Sequence, residues 1–108
     1  MAAIGYVTHD PERGAYKGSL KTLSIATGIV IVPNGEKTND EQPDFRVFTD
    51  QSTELGAGWT RKGKSSGREY VSLTLAAPEL GRKIYANLGP AAGQDDPSVF
   101  AIIWNPES

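Results

Sequence analysis

Between residues 44 and 75 the chain reads DFRVFTDQSTELGAGWTRKGKSSGREYVSLTL, and apolar and polar positions alternate through most of it. Val71, Leu73 and Leu75 fall on one side of a strand, with Tyr70, Ser72 and Thr74 on the other. Phe45 and Val47 face one way, Arg46 and Phe48 the other. Leu55, Ala57 and Trp59 are expected to share a face, while Gly56 and Gly58 leave the opposite face bare for a close backbone approach or a bulge. Two turn-rich links join these runs, which predicts an antiparallel meander with a basic hairpin tip over residues 61–68.

The same period continues outside this stretch. Residues 4–8 form a first strand, closed by HDPERG, which puts His9 in an exposed turn. Over 16–24, Tyr16, Gly18, Leu20 and Thr22 oppose Lys17, Ser19 and Lys21; 25–28 is expected to bend. The all-β-branched run 29–32 reads as a strand buried on both faces. A polar loop follows, ended by Pro43, which delivers the chain extended into Phe45. Residues 76–82 hold one helical turn at most. Two further strands cover 83–88 and 99–104, the last with Phe100, Ile102 and Trp104 on one side. No helix-period pattern reaches ten residues. About eight short, mostly antiparallel strands predict one all-β domain over residues 1–108, a closed or partly open barrel or sandwich.

Composition sharpens this picture by exclusion. Twelve glycines and seven prolines fall between the apolar runs, as frequent turns require. With no cysteine, a disulfide framework, a thiolate zinc site and a cysteine nucleophile are all ruled out. A cysteine-free chain suits a reducing compartment. The first residues lack the basic and apolar regions of a signal peptide, and the longest apolar run is far below the roughly 18 residues of a membrane helix. The expected location is the cytoplasm, with no membrane contact. The net charge of −2 disfavours a general polyanion binder, but it is unevenly spread. Glu36, Lys37, Asp40, Glu41 and Asp44 make one loop acidic; Arg61, Lys62, Lys64 and Arg68 make another basic.

Candidate chemistry is sparse. Gly58-Trp-Thr-Arg-Lys-Gly63-Lys64-Ser65 matches the phosphate-binding pattern G-x-x-x-x-G-K-[ST]. That chemistry needs a helix starting at the end of the loop, and here a period-two strand follows instead. The acidic residues lack the glycine spacing of a calcium loop, and Asp95-Asp96 before Pro97 reads as a turn. His9 has no serine motif to serve. No catalytic, metal or cofactor residue is assigned, and the chain is not expected to be an enzyme. The remaining candidate is a nucleic-acid-binding hairpin: Arg61, Lys62, Lys64 and Arg68 meet phosphates, and Trp59 or Tyr70 stacks on the bases of a single strand. The alternative partner is another protein, or another copy, met by an uncovered edge strand or by an apolar face of Phe48 and Tyr85.

The segments IVPNGEKTNDEQPDFRVF, ELGAGWTRKGKSSGREYVSLTL, KIYANL and AIIW resemble the bacterial domain-of-unknown-function family 736 over residues 4–104. The most specific pieces are 31–34, 43–47, 56–59 and 84–88. The resemblance implies a small cytoplasmic protein, of a kind often encoded on plasmids and integrative conjugative elements, with an accessory role around DNA transfer or its regulation. It implies no activity. The family usually has alanine where Gly58 stands, and a longer acidic link before Pro78. Asp44 and Arg46, two apart and therefore on one face, are expected to pair with each other or with a neighbouring strand. The other possibility is that Arg46, beside Phe48, belongs to a ligand surface.

Overall fold

The computed structural model describes residues 3–23, 25–63, 67–77, 83–91, 93 and 96–104. In them the period-two pattern is realised as eight strands: β1 (Ala3–Asp10), β2 (Ala15–Lys21), β3 (Ala26–Pro33), β4 (Phe45–Thr49), β5 (Glu54–Lys62), β6 (Glu69–Leu75), β7 (Ile84–Pro90) and β8 (Val99–Trp104). Each strand pairs antiparallel with the next, and β8 pairs back onto β1, so the sheet closes into an up-and-down barrel. Closure satisfies every strand's hydrogen-bonding flank. The expectation of an uncovered edge strand is therefore corrected: all eight described strands have a neighbour on both sides.

Alternation decides what fills the barrel. Val7, Leu20, Ile29, Ile31, Val47, Val71, Leu73, Leu75, Ala86, Leu88 and Ile102 point inward and are buried. An eight-stranded barrel is just wide enough for such side chains to fill it. Each large one contributes on the order of 1.5–3 kcal/mol by leaving water. Charged Lys17, Lys21, Arg46, Glu54 and Arg61 lie on the wall's outer positions. This apolar-in, charged-out order is the reverse of a membrane-spanning barrel. No helix among the described residues is long and apolar enough to cross a membrane.

Three expectations about faces change. Ile29 and Ile31 are buried, but Val30 and Val32 on the outer side are only half-buried, because β3 has a core on one face alone. Val47 pairs with Gly56 and Phe48 with Glu54, which leaves Leu55 unpaired in a bulge. The bulge turns Leu55 into the core, away from the outward Ala57 and Trp59, while Gly56 and Gly58 face inward. Finally, β1 runs on to Asp10, so His9 is half-buried in a strand and not exposed in a turn. Its ring stacks on Tyr16 at 4.6 Å and meets the edge of Phe100. Tyr16 also packs edge-on against Phe45 and Phe100, and the four rings close one end of the barrel. Burial raises the Tyr16 phenol above its ordinary pKa.

Ile25 lies just before β3, and Thr22 donates to its carbonyl, so the chain reverses over 22–25 and pairing resumes at Ala26. The single helical turn expected within 76–82 falls mostly outside the described residues; Ala76, which is described, donates its amide to the Leu55 carbonyl.

Candidate functional site

The aromatic end of the barrel carries the β1–β2, β3–β4, β5–β6 and β7–β8 links, because the strands alternate up and down. Both charged loops therefore sit at this end on adjacent hairpins. The basic tip is a tight return: the Gly63 amide donates to the Arg68 carbonyl, the Gly67 amide donates to the Gly63 carbonyl, and Gly67 has a φ of 69° that favours glycine. The P-loop match ends here. Gly58 to Lys62 belong to β5, and the chain returns as β6 from Glu69. Among the described residues no helix follows β5, so the strand-to-helix turn that holds a phosphate is not found.

Register divides the expected nucleic-acid residues. Arg61 pairs with Tyr70 and Trp59 with Ser72, so Trp59, Arg61 and Tyr70 lie together on the outer wall, with Trp59 and Tyr70 diagonal neighbours. Lys62 is on the opposite side of β5 and pairs with Glu69 at the rim. Arg68 lies exposed in the turn, with an interaction of its own. Lys64 falls outside the described residues. The structure thus assembles two rings and one cation, and separates Lys62 from them.

Trp59 is also engaged. Its indole Nε1 donates to the Glu41 carbonyl at 3.2 Å, which draws the acidic loop against the wall. The same loop is tied down by Asp44, whose carboxylate takes the Lys37 ammonium and accepts from the Thr60 amide at 2.8 Å. Lys37, and next the Thr60 amide, hold the Asp44 carboxyl below the usual range. Arg46 reaches Glu54 on β5 at 3.0 Å and lies 5.1 Å from the centre of the Phe48 ring. Asp44 and Arg46 therefore each find a partner elsewhere, in the neighbouring-strand form for Arg46. In the β7–β8 link, Asp96 accepts from the Ser98 amide and hydroxyl, the turn expected there; Asp95 is outside the described residues.

Phe48 and Tyr85 do not form one apolar face. They stand on β4 and β7, with β5 and β6 between them. What does form a continuous surface is the outer wall of β6, β7, β8 and β1. Its outward positions are Tyr70, Ser72 and Thr74; Tyr85, Asn87 and Gly89; Val99, Ala101 and Ile103; and Tyr6 and Thr8. None is charged. The last outward position of β1, Asp10, is charged; the other nearest charges are Lys83, just before β7, and Arg61 on β5. An open depression of about 390 Å³, lined by Glu54, Ala57, Trp59, Thr74 and Ala76 among others, adjoins this wall on the β5–β6 side. Tyr70, Ser72 and Thr74 were legible as one side of their own strand. Their grouping was not, because it depends on β8 closing onto β1.

The family model described as Protein of unknown function (DUF736) matches residues 3–107. No curated protein and no solved structure matches the chain.

Proposed function

We propose that this chain, which belongs to the DUF736 family over nearly its whole length, is a non-catalytic binding module whose partner is a protein. One observation carries the reading: four consecutive strands present an outer wall whose one charge among the described strand positions is Asp10 at the end of β1, composed otherwise of tyrosine, serine, threonine, asparagine, valine, isoleucine and small residues. Protein interfaces are depleted of charge at their centres and enriched in tyrosine. Short hydroxyl and amide side chains supply adaptable hydrogen bonds at little entropic cost. A cysteine-free chain suits work in the cytoplasm.

The test is a photo-reactive amino acid placed at Asn87, at the centre of the wall, with exposed Ala26 on β3, across the barrel, as control. Irradiation in the producing cell should give a discrete protein adduct from position 87 and none from position 26. Adducts only with nucleic acid, or equal labelling from both positions, would overturn the reading.

A second reading rests on the hairpin, where Trp59, Arg61 and Tyr70 share one face. These could seat a single-stranded nucleic acid, in keeping with an accessory role in mobile elements, with Lys62, Lys64 and Arg68 adding charge at the tip. Anisotropy of a labelled oligonucleotide at two salt concentrations checks it. Binding must weaken by close to one power of salt concentration for each phosphate neutralised. It must also be lost when Arg61, Lys62, Lys64 and Arg68 are replaced by alanine.

A further inference from the structure

We infer that the partner seated on this wall is a second copy of this chain, in a two-fold dimer whose axis passes over Gly89 and Ala101. This inference rests on the binding reading above and names its partner. Three observations lead to it.

The first is the order of residues across the wall. Tyr6 pairs with Ala101, and Ala101 pairs with Gly89. Tyr70 immediately precedes Val71, the partner of Leu88, and so stands on β6 beside Gly89. The row therefore reads ring, small, small, ring. A two-fold axis lying between β7 and β8 exchanges its two halves, bringing Tyr6 of each copy against Tyr70 of the other. Self-complementarity of this kind is what an isologous interface requires.

The second is shape. A barrel wall is convex, so two copies touch first along a crest and leave a wedge open on either side. On this row the crest holds Gly89 and Ala101, recessed beside Ile103, with Ala101 only 5% exposed. The shoulders hold tyrosines, of which Tyr6 is 51% exposed. Rings on the shoulders fill the wedge as two offset aromatic pairs, with the low row between them leaving the rings room to meet.

The third is charge. A two-fold axis sets every group near the neighbourhood of its own copy, so any charge close to the axis meets its like. The chain carries a net charge of −2, and the described outer wall has ionic side chains on β2, β4 and β5. The wall from β6 to β1 has Asp10 at the rim end of β1 and none along the row from Tyr6 to Tyr70, so self-docking about the axis brings no like charges together there. With contact limited to about four strands, the buried area falls at the low end of specific interfaces, about 1,000–1,200 Å² in total, so the dimer exchanges with monomer.

Sedimentation velocity of the full chain over a broad concentration series tests this. The wild type should pass from monomer to twice that mass. Tyr6→Glu and Tyr70→Lys should each remain monomeric with unchanged far-ultraviolet circular dichroism. An equimolar mixture of the two should regain a dimer containing one copy of each, because one Glu–Lys pair and one wild-type ring pair then meet across the axis. Tyr6→Phe should still dimerise, as should Ala26→Glu on β3, across the barrel from the axis. Two results overturn the dimer: a wild type that is monomeric at every concentration, or an association that both charged variants leave intact. If the purified chain stays monomeric while position 87 still crosslinks to a different protein, self-association fails and the binding reading stands. If position 87 gives no protein adduct either, both fail.

Discussion

The indole Nε1 of Trp59 donates a hydrogen bond to the backbone carbonyl of Glu41, eighteen residues away in sequence and at 3.2 Å in space. A side chain that looked available for stacking is thus also the fastening of the acidic loop to β5. Trp59→Phe keeps most of the ring and removes the donor. It should cost about 1 kcal/mol, the net worth of one such bond, and should speed protease cleavage within loop 34–44. Urea unfolding followed through Trp104 measures the first effect. Unchanged stability and cleavage would mean that the bond does not anchor the loop.

Gly56 and Gly58 both face the barrel interior, yet a methyl group has opposite consequences at the two. At Gly56 an added Cβ would lie 2.0 Å from the Thr74 carbonyl oxygen and 2.9 Å from the Leu75 Cα, both backbone atoms held by the sheet. At Gly58 the nearest atoms belong to the Leu73 and Val71 side chains, at 2.9 and 3.2 Å, and side chains can turn away. Gly56→Ala should destabilise by about 3 kcal/mol or prevent folding. Gly58→Ala should stay within about 1 kcal/mol of wild type, helped by the smaller entropy of its unfolded chain. Paired denaturation curves decide, and equal losses would count against the packing argument. Tolerance at Gly58 would also agree with the alanine that the family resemblance expects there.

Asp44 supplies the acid limb of stability. Its carboxyl is held below the ordinary value of about 3.9 by Lys37 and the Thr60 amide. The stabilisation it provides is complete above that value and is lost as pH falls through the lowered folded-state pKa. Asp44→Asn should flatten the fall in urea midpoint below about pH 4, while costing no more than about 1 kcal/mol near neutrality because the pair is partly exposed. An acid limb unchanged in the variant would assign it to other carboxyls.

Tyr16 works in the opposite direction. Burial raises its phenol above the ordinary value of about 10. A raised pKa stabilises the fold fully below the unfolded value and loses that contribution as pH rises through the folded one. Alkaline titration by ultraviolet absorbance should therefore contain a late component that Tyr16→Phe removes. The same substitution should make the urea midpoint less steep at high pH. A late component that persists in the variant would place the buried phenol elsewhere.

Strand identity was legible in the residues themselves. Val71, Leu73 and Leu75 against Tyr70, Ser72 and Thr74 could alternate only as a strand with one apolar face, and β6 follows that pattern position for position. The bulge at Leu55 was not legible, because nothing local distinguishes one extra residue in β5 from a shift of the whole strand. His9 was misplaced for a similar reason. Its neighbours Asp10 and Pro11 favour a turn, but stacking on Tyr16 and pairing across to β2 extend β1 past it.

By itself, then, the sequence determined a cysteine-free, all-β chain of about eight strands, a hairpin tip rich in cations, and the inward side of strands such as β6. These follow from side-chain alternation and turn chemistry, which act over a few residues. Only the tertiary structure decided which strands are neighbours across the closure, and thereby which outward residues share a surface. Pairing β8 with β1 brings Tyr6 beside Ala101 although 95 positions separate them, and the register of β5 on β6 sends Lys62 to the opposite side from Arg61. Each is a consequence of long-range backbone hydrogen bonding, which leaves no mark on the order of residues along the chain.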